Sequence, residues 1–378
     1  MYSLKPDALY VWSNKTFIFF VIIAMFAMVL PYIGIIKVKF SKKSKRVPIG
    51  LIILTILLIG IKGFSAVGRD VLSGYYAGFL SADSLKTYSD PSVELGYRIL
   101  TVIVHNIWNN YTFFLIVVAT LTVIPVVHFT WKYQEHIFMG ITLFLYTTIY
   151  YFQGLSLLRI FLAASIGLVA IDRLITKKNK SAFIWILVAV LFHTSMLVLF
   201  IPYTIFVFNK LSRGSYILSL VVIFIFFSVY GNQIVGSLSG RYAVYRNTFS
   251  SGLGFQQVIY YAPIATLIYF GHKFQNKKGI VEENKAYKLS WALIISGFFI
   301  GEVGYVITIF GRAQVAFISL IFVISYYAKR IYARDVKWGN FARLLIVIYG
   351  LARLYIYLSQ YYNVDSIMPY STIWGLIF

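Results

Sequence analysis

Apolar runs of about 20 residues, separated by short clusters of Lys and Arg, recur along the whole chain. That length is what an α-helix needs to cross a hydrocarbon core of about 30 Å. The runs lie at 16–36, 48–64, 111–130, 137–153 and 155–175, then at 215–232, 257–272, 289–310, 312–328 and 341–359. Of the 378 residues 60% are hydrophobic and only 12% charged, about half the charge of a soluble domain. A soluble core is excluded. The pattern predicts an all-α, polytopic membrane bundle of about 10–12 membrane helices, counting a hairpin segment and an amphipathic segment at the outer surface.

The formal charge of +22 does not point to nucleic acid, because Lys and Arg fall between the apolar runs, where they act as topology signals. Without cysteine there is no disulfide framework, thiolate metal site or cysteine nucleophile. His105, His128, His136, His193 and His272 show no HExxH or comparable ligand spacing, so no metal site is expected. The run 16–36 is too long for a signal peptide, has no small-residue cleavage site and is followed by Lys37, Lys39, Lys42, Lys43, Lys45 and Arg46. It reads as an uncleaved helix entering from outside.

Two segments leave the topology open, and the positive-inside rule decides both. Leu95 to Trp108 is short and carries Arg98 and His105. A full crossing there would put Lys177, Lys178 and Lys180 outside, so an interfacial or re-entrant helix is expected. Ser181 to Phe208 would extend about 42 Å as one helix, and the polar break at His193, Thr194 and Ser195 suggests two short helices in a hairpin. The basic stretches 37–46, 173–180, 210–213, 273–288 and 329–337 then all lie inside. The expected organisation is one membrane domain, 1–378, with an outer polar segment at about 64–97 and an outer loop at about 233–256.

With that topology Arg69, Asp70, Arg159, His193, Arg241, Arg246 and Arg312 all fall toward the outer end. Arginines gathered against the charge rule, with few acids near them, suit a small polyanion such as pyrophosphate, which a guanidinium fork can hold through two oxygens. The plainer readings are a helix-capping ion pair for Arg69 and Asp70, and snorkelling to headgroups for Arg159. His193 is either a hydrogen-bonded structural residue or a base. Glu302 is the one carboxylate well inside an apolar run, a counter-ion or a base.

At these residues the chain resembles the EpsG family, the Wzy-like polymerases of bacterial exopolysaccharides and capsules. The points of likeness run from about Gly63 onward. They are GRD and the tyrosine-rich stretch to ELGY at 68–97, LLRIFLA at 157–163, LFHTSMLVL at 191–199, GRAQVAF at 311–317 and MPY at 368–370. Ile160 stands after Arg159 where such proteins often carry Gln, so no amide role is carried over there.

The resemblance implies a glycosyltransferase of the cytoplasmic membrane whose active site faces outward. It would polymerise oligosaccharide repeats linked to undecaprenyl pyrophosphate and release the polyprenyl pyrophosphate. Arg159 with Arg69, Arg241, Arg246 or Arg312 would hold the pyrophosphate. His193, Asp70, Glu94 or Glu302 would act on the acceptor hydroxyl. No nucleotide, metal or other cofactor is needed, since the donor is already activated. Membrane lipids, a flippase and a chain-length regulator are the implied partners. A glycan ligase, an O-acyltransferase and, less well, a flippase or transporter remain as alternatives. A transporter should carry polar residues through the bilayer instead of at one end.

Overall fold

The structure, a computed structural model, describes residues 9–40, 43–207, 213–237, 249–250, 252–273 and 281–378. Helix α1 (Asn14–Val29) starts where the Ser13 hydroxyl accepts the Thr16 N–H at 3.2 Å. After it the expected basic loop is instead a two-stranded antiparallel ribbon, β1 (Ile35–Phe40) and β2 (Lys43–Pro48), with Ile35 opposite Pro48 and Phe40 opposite Lys43. Helix α2 (Ile49–Gly63) leads to two short helices, α3 (Arg69–Leu72) and α4 (Gly74–Leu80). Then come α5 (Leu95–Ile107) and α6 (Tyr111–Lys132), the latter capped by Asn110 on the Phe113 N–H at 3.0 Å.

Helix α7 (Met139–Tyr146) is shorter than its apolar run, because the chain passes into a π turn over Thr147–Tyr151 and a 3-10 turn over Gln153–Leu155. Thr147 and Thr148 return their hydroxyls to the carbonyls of Leu143 and Phe144 at 2.8 to 3.0 Å, competing with the α-helical ladder there. Helix α8 (Leu158–Ile175) follows, then α9 (Asn179–Phe192), a 3-10 segment (Thr194–Leu199) and α10 (Phe200–Val207). The Phe183 ring of α9 lies 5.3 Å from Phe200 and 6.0 Å from Tyr203, so the chain turns at His193 and comes back as a hairpin.

The remaining helices are α11 (Arg213–Gly236), α12 (Phe255–Lys273), α13 (Val281–Val306), α14 (Thr308–Gly311), α15 (Leu320–Arg334) and α16 (Val336–Tyr361). The run expected at 312–328 begins as a 3-10 segment, Arg312–Phe317, and becomes α-helical only at Leu320. Close packing explains the irregularity. A Cβ on Gly304 would lie 2.4 Å from the Gly311 Cα, so α14 folds tightly back on α13 and leaves no straight path for a helix.

Five of the described helices are long and apolar enough to cross a membrane: Asn14–Tyr32, Tyr111–Lys132, Ile217–Ile234, Ala286–Val306 and Val336–Tyr361. Shorter apolar helices at 49–63, 95–107, 179–192 and 194–204 join them. The chain is a polytopic helical membrane protein. Most of its core is apolar, with Phe20, Leu54, Phe144, Phe161, Phe317 and Leu354 buried in one cluster. Exposed Ile18, Ile56, Leu218 and Ile348 cover the outside of the bundle, which suits lipid and not water.

Contacts define two ends of the bundle. At one end Tyr32 meets Gly140, Phe138 meets Ser325, Lys132 pairs with Asp172, and Lys329 donates to the carbonyls of Gln134 and Ile137. The basic stretches 37–40, 43–46, 173–180 and 329–337 belong to that basic end; 41–42, most of 210–213 and part of 273–288 lie outside the described residues. At the other end residues 362–378 cross over α1, α2 and α3, where Ile373 N–H meets the Phe64 carbonyl at 3.0 Å and Tyr370 N–H meets the Thr16 hydroxyl at 3.0 Å. Helix α5 lies across this end. Its Gly96 packs on Leu191 at the close of α9, and three residues join it to the start of α6. Leu95, Ile99, Ile103 and Ile107 form an exposed apolar stripe along it, one turn apart.

Candidate functional site

The polar groups at the far end from the basic stretches come from four separated segments. The first is GRD. Gly68 has φ +102°, and a Cβ there would lie 2.3 Å from the Leu155 carbonyl oxygen, so this position needs glycine on two counts. With no side chain in the way, the segment docks on the turn before α8, and the Asp70 N–H reaches the Ser156 hydroxyl at 3.5 Å. The Arg69 N–H donates to the Asp365 carbonyl at 2.8 Å, and its guanidinium donates to the carbonyls of Val364 (2.8 Å) and Asn363 (3.3 Å). Backbone carbonyls of the C-terminal stretch therefore aim the Arg69 guanidinium.

The second and third segments meet through an ion pair. Arg159, in the first turn of α8, donates from Nη1 to the Glu94 carboxylate at 2.6 Å. Its Nε approaches the Tyr75 hydroxyl at 3.4 Å, and its guanidinium lies 5.4 Å from the Tyr75 ring and 5.9 Å from that of the wholly buried Tyr97. Glu94 stands just before α5, 8% exposed. Its other oxygen accepts the N–H (3.3 Å) and hydroxyl (3.4 Å) of Thr194 from the fourth segment. Burial opposes the charge of Glu94, but the Arg159 guanidinium, His193 and backbone N–H donors hold its carboxyl below the ordinary value. Glu94 is thus the bolt between α8, α5 and the turn of the α9–α10 hairpin.

His193 sits in that turn with extended backbone, and its Nδ1 accepts the Ser195 N–H at 3.2 Å. A neutral imidazole with Nδ1 so engaged carries its proton on Nε2 and offers a donor. Asp70 differs from Glu94. It is half-buried, and its carboxylate accepts no hydrogen bond among the described residues. Arg312, exposed at the start of its 3-10 segment, is close enough for its charge to act on both Tyr75 and Asp365.

One of the expected residues stands apart, and two are not described. Glu302, near the end of α13, accepts the Gly254 N–H at 2.7 Å and so ties down the turn that begins α12; it does not join the Glu94 cluster. Arg241 and Arg246 lie outside the described residues.

Two groups were missed in the sequence. Asp365 accepts the Tyr357 hydroxyl at 2.6 Å, and burial, reinforced by Asp70, pushes its carboxyl up to about 6 despite Tyr357, Arg312 and Arg69. Its signal was only a lone acid just before MPY. Arg353 of α16 interrupts an apolar run as plainly as Arg159 does, and the same cost argument would have marked it.

These convergent segments fall within one sequence family, whose model, that of the EpsG family, matches residues 47–372. The chain belongs to the EpsG family. No curated protein and no solved structure matches it. The EpsG match begins upstream of Gly63, at β2, and takes in every segment of the site, from Gly68 to Asp365. EpsG proteins are associated with exopolysaccharide biosynthesis, and the site described here is the polar end of an EpsG bundle.

Proposed function

We propose that this EpsG-family chain polymerises lipid-linked oligosaccharide repeats. A hydroxyl of one repeat attacks C1 of the sugar at the reducing end of another; the new C1–O bond forms as the C1–O bond to polyprenyl pyrophosphate breaks. The hydroxyl proton passes to a carboxylate, and the lipid pyrophosphate leaves as an anion. The observation that carries this reading is the meeting of GRD, ELGY, LLR and HTS at one end of a membrane bundle, which brings the carboxylate of Asp70 together with the guanidiniums of Arg69 and Arg312 around Asp365.

In this reading Arg69 and Arg312 stabilise the leaving pyrophosphate, joined by Arg241 and Arg246. Asp70 takes the proton, with Asp365 as its neighbour. Arg159, already paired with Glu94, shapes the pocket and presents its remaining edge to the substrate. His193 donates from Nε2 to a substrate oxygen. The family association and the orientation suggested by the basic loops together favour an outward-facing site.

The test is a reconstitution with an oligosaccharide on polyprenyl pyrophosphate. The wild type should build a ladder of lengthened products. Asp70→Asn should lower turnover about 10²-fold or more. His193→Asn, which keeps an acceptor for Ser195 but loses Nε2, should fold and lose most activity. A single transfer to a foreign acceptor with no ladder would indicate a ligase, which uses the same leaving group. Normal ladders from Asp70→Asn would remove the base from this scheme.

A further inference from the structure

Arg353 lies inside α16, eight residues before its last residue Tyr361, about 12 Å along the helix axis. An arginine at such a depth is costly, by about 2.5 to 3.5 kcal/mol on insertion scales, and is by default a sign of function. Arg159 meets that cost with Glu94. Arg353 does not have a carboxylate bonded to it among the described residues; its neighbours are tyrosines. Its guanidinium is 3.5 Å from the centre of the Tyr260 ring, and Nη1 donates to the Tyr349 hydroxyl at 3.0 Å. That hydroxyl in turn donates to the Tyr260 carbonyl at 2.9 Å. One face and one amino group are thus fixed, while the rest of the fork keeps its charge and its donors.

The surroundings say what approaches. Tyr260 belongs to α12 and Tyr349 to α16, so Arg353 stands in the seam between these helices. Toward the site end the seam continues as a polar ladder, in which Gln256 Nε2 meets the Tyr260 hydroxyl at 2.5 Å and the Gln360 amide oxygen at 3.1 Å. Behind it, the Tyr261 hydroxyl reaches Gln314, two residues from Arg312, at 3.5 Å. The same helices expose Ile259, Ile348 and Tyr355 outward, where lipid lies. The anion that a bilayer brings to such a seam is a phosphate, and a guanidinium fork matches its oxygens.

We propose that Arg353, with Tyr260 and Tyr349, binds the phosphate of a lipid that reaches the protein sideways between α12 and α16. The occupant is a polyprenyl carrier or an ordinary phospholipid; the carrier is preferred only because of the proposed function, on which that choice rests. The rings hold the fork in place, and the ladder leads from the seam toward Arg312.

Native mass spectrometry of the full chain in a sugar-based detergent, titrated with undecaprenyl phosphate and separately with phosphatidylglycerol, tests this. Arg353→Gln should weaken retention of the bound lipid about tenfold or more. Arg343→Gln, which removes a cation stacked on Phe138 and Tyr332 at the basic end, should not. Preference for the polyprenyl phosphate identifies the carrier, and equal Arg353-dependent binding identifies a general headgroup site; both support the inference. Unchanged retention in Arg353→Gln overturns it. If that variant does not fold, photo-crosslinking of the wild type with a diazirine-tagged undecaprenyl phosphate decides: label on α12 or α16 supports the site, and label confined elsewhere overturns it. A chain that binds through Arg353 yet builds no ladder refutes the polymerase reading alone. A chain that builds ladders with Arg353-independent binding refutes this inference alone.

Discussion

Asp365 gives the site a dependence on pH that can be worked out from its surroundings. Asp70 and Arg69 face it from α3, Arg312 from the 3-10 segment, and Tyr357 and Tyr361 from α16. Its carboxyl holds a proton more tightly in the fold, at about 6, than at its ordinary value of 3.8. The folded chain therefore binds more protons than the unfolded one between those values, and stability falls as pH rises through that window. Thermal midpoints of the purified protein should be higher at pH 5 than at pH 7.5, and Asp365→Asn should flatten the difference while raising the midpoint at pH 7.5. An unchanged slope in the variant would mean that Asp365 is ionised in the fold. At this scale the sequence named most participants but not their pairings. Arg159 and Glu94 were both candidates, yet the ion pair joins residues 65 apart, and nothing local in either segment specifies the other. Asp365 drew no notice because an acid in a polar stretch is ordinary until burial makes it costly.

Among the elements, the docking of α3 on the turn before α8 depends on one residue without a side chain. Gly68→Ala would place a Cβ 2.3 Å from the Leu155 oxygen in a backbone conformation that alanine adopts poorly. About 1 to 3 kcal/mol of strain is expected, enough to displace Arg69 and Asp70. The variant should insert into the membrane but lose both thermal stability and activity. Gly74→Ala, with nothing within 4 Å of the added carbon, should change neither. Equal behaviour of the two variants would mean that the docking does not govern the site. The helices themselves were legible because a run of about 20 apolar residues has few other uses, and the hairpin turn at His193 was legible because one helix there is too long for a bilayer. The π turn at Thr147–Tyr151, the late start of α15 and the β1–β2 ribbon were not. Each arises from side-chain hydroxyls, close glycine packing or strand pairing that hydropathy does not register.

For the whole molecule, the segregation of basic stretches to one end and of Arg69, Asp70, Glu94, Arg159 and His193 to the other predicts a single orientation. Single cysteines can report it without background, since the chain has none. A cysteine at Ser195 should react with an impermeant maleimide added to intact cells, and one at Lys178 should react only after permeabilisation; the reverse pattern would turn the molecule over. The crossing of residues 362–378 over α1, α2 and α3 has a consequence in time. Arg69 emerges from the ribosome early, but the carbonyls that aim its guanidinium lie 294 and 295 residues later. Until that stretch has been synthesised, a nascent bundle can hold most of its helices in the membrane and still lack an aligned arginine, so assembly order by itself withholds activity from the unfinished polypeptide.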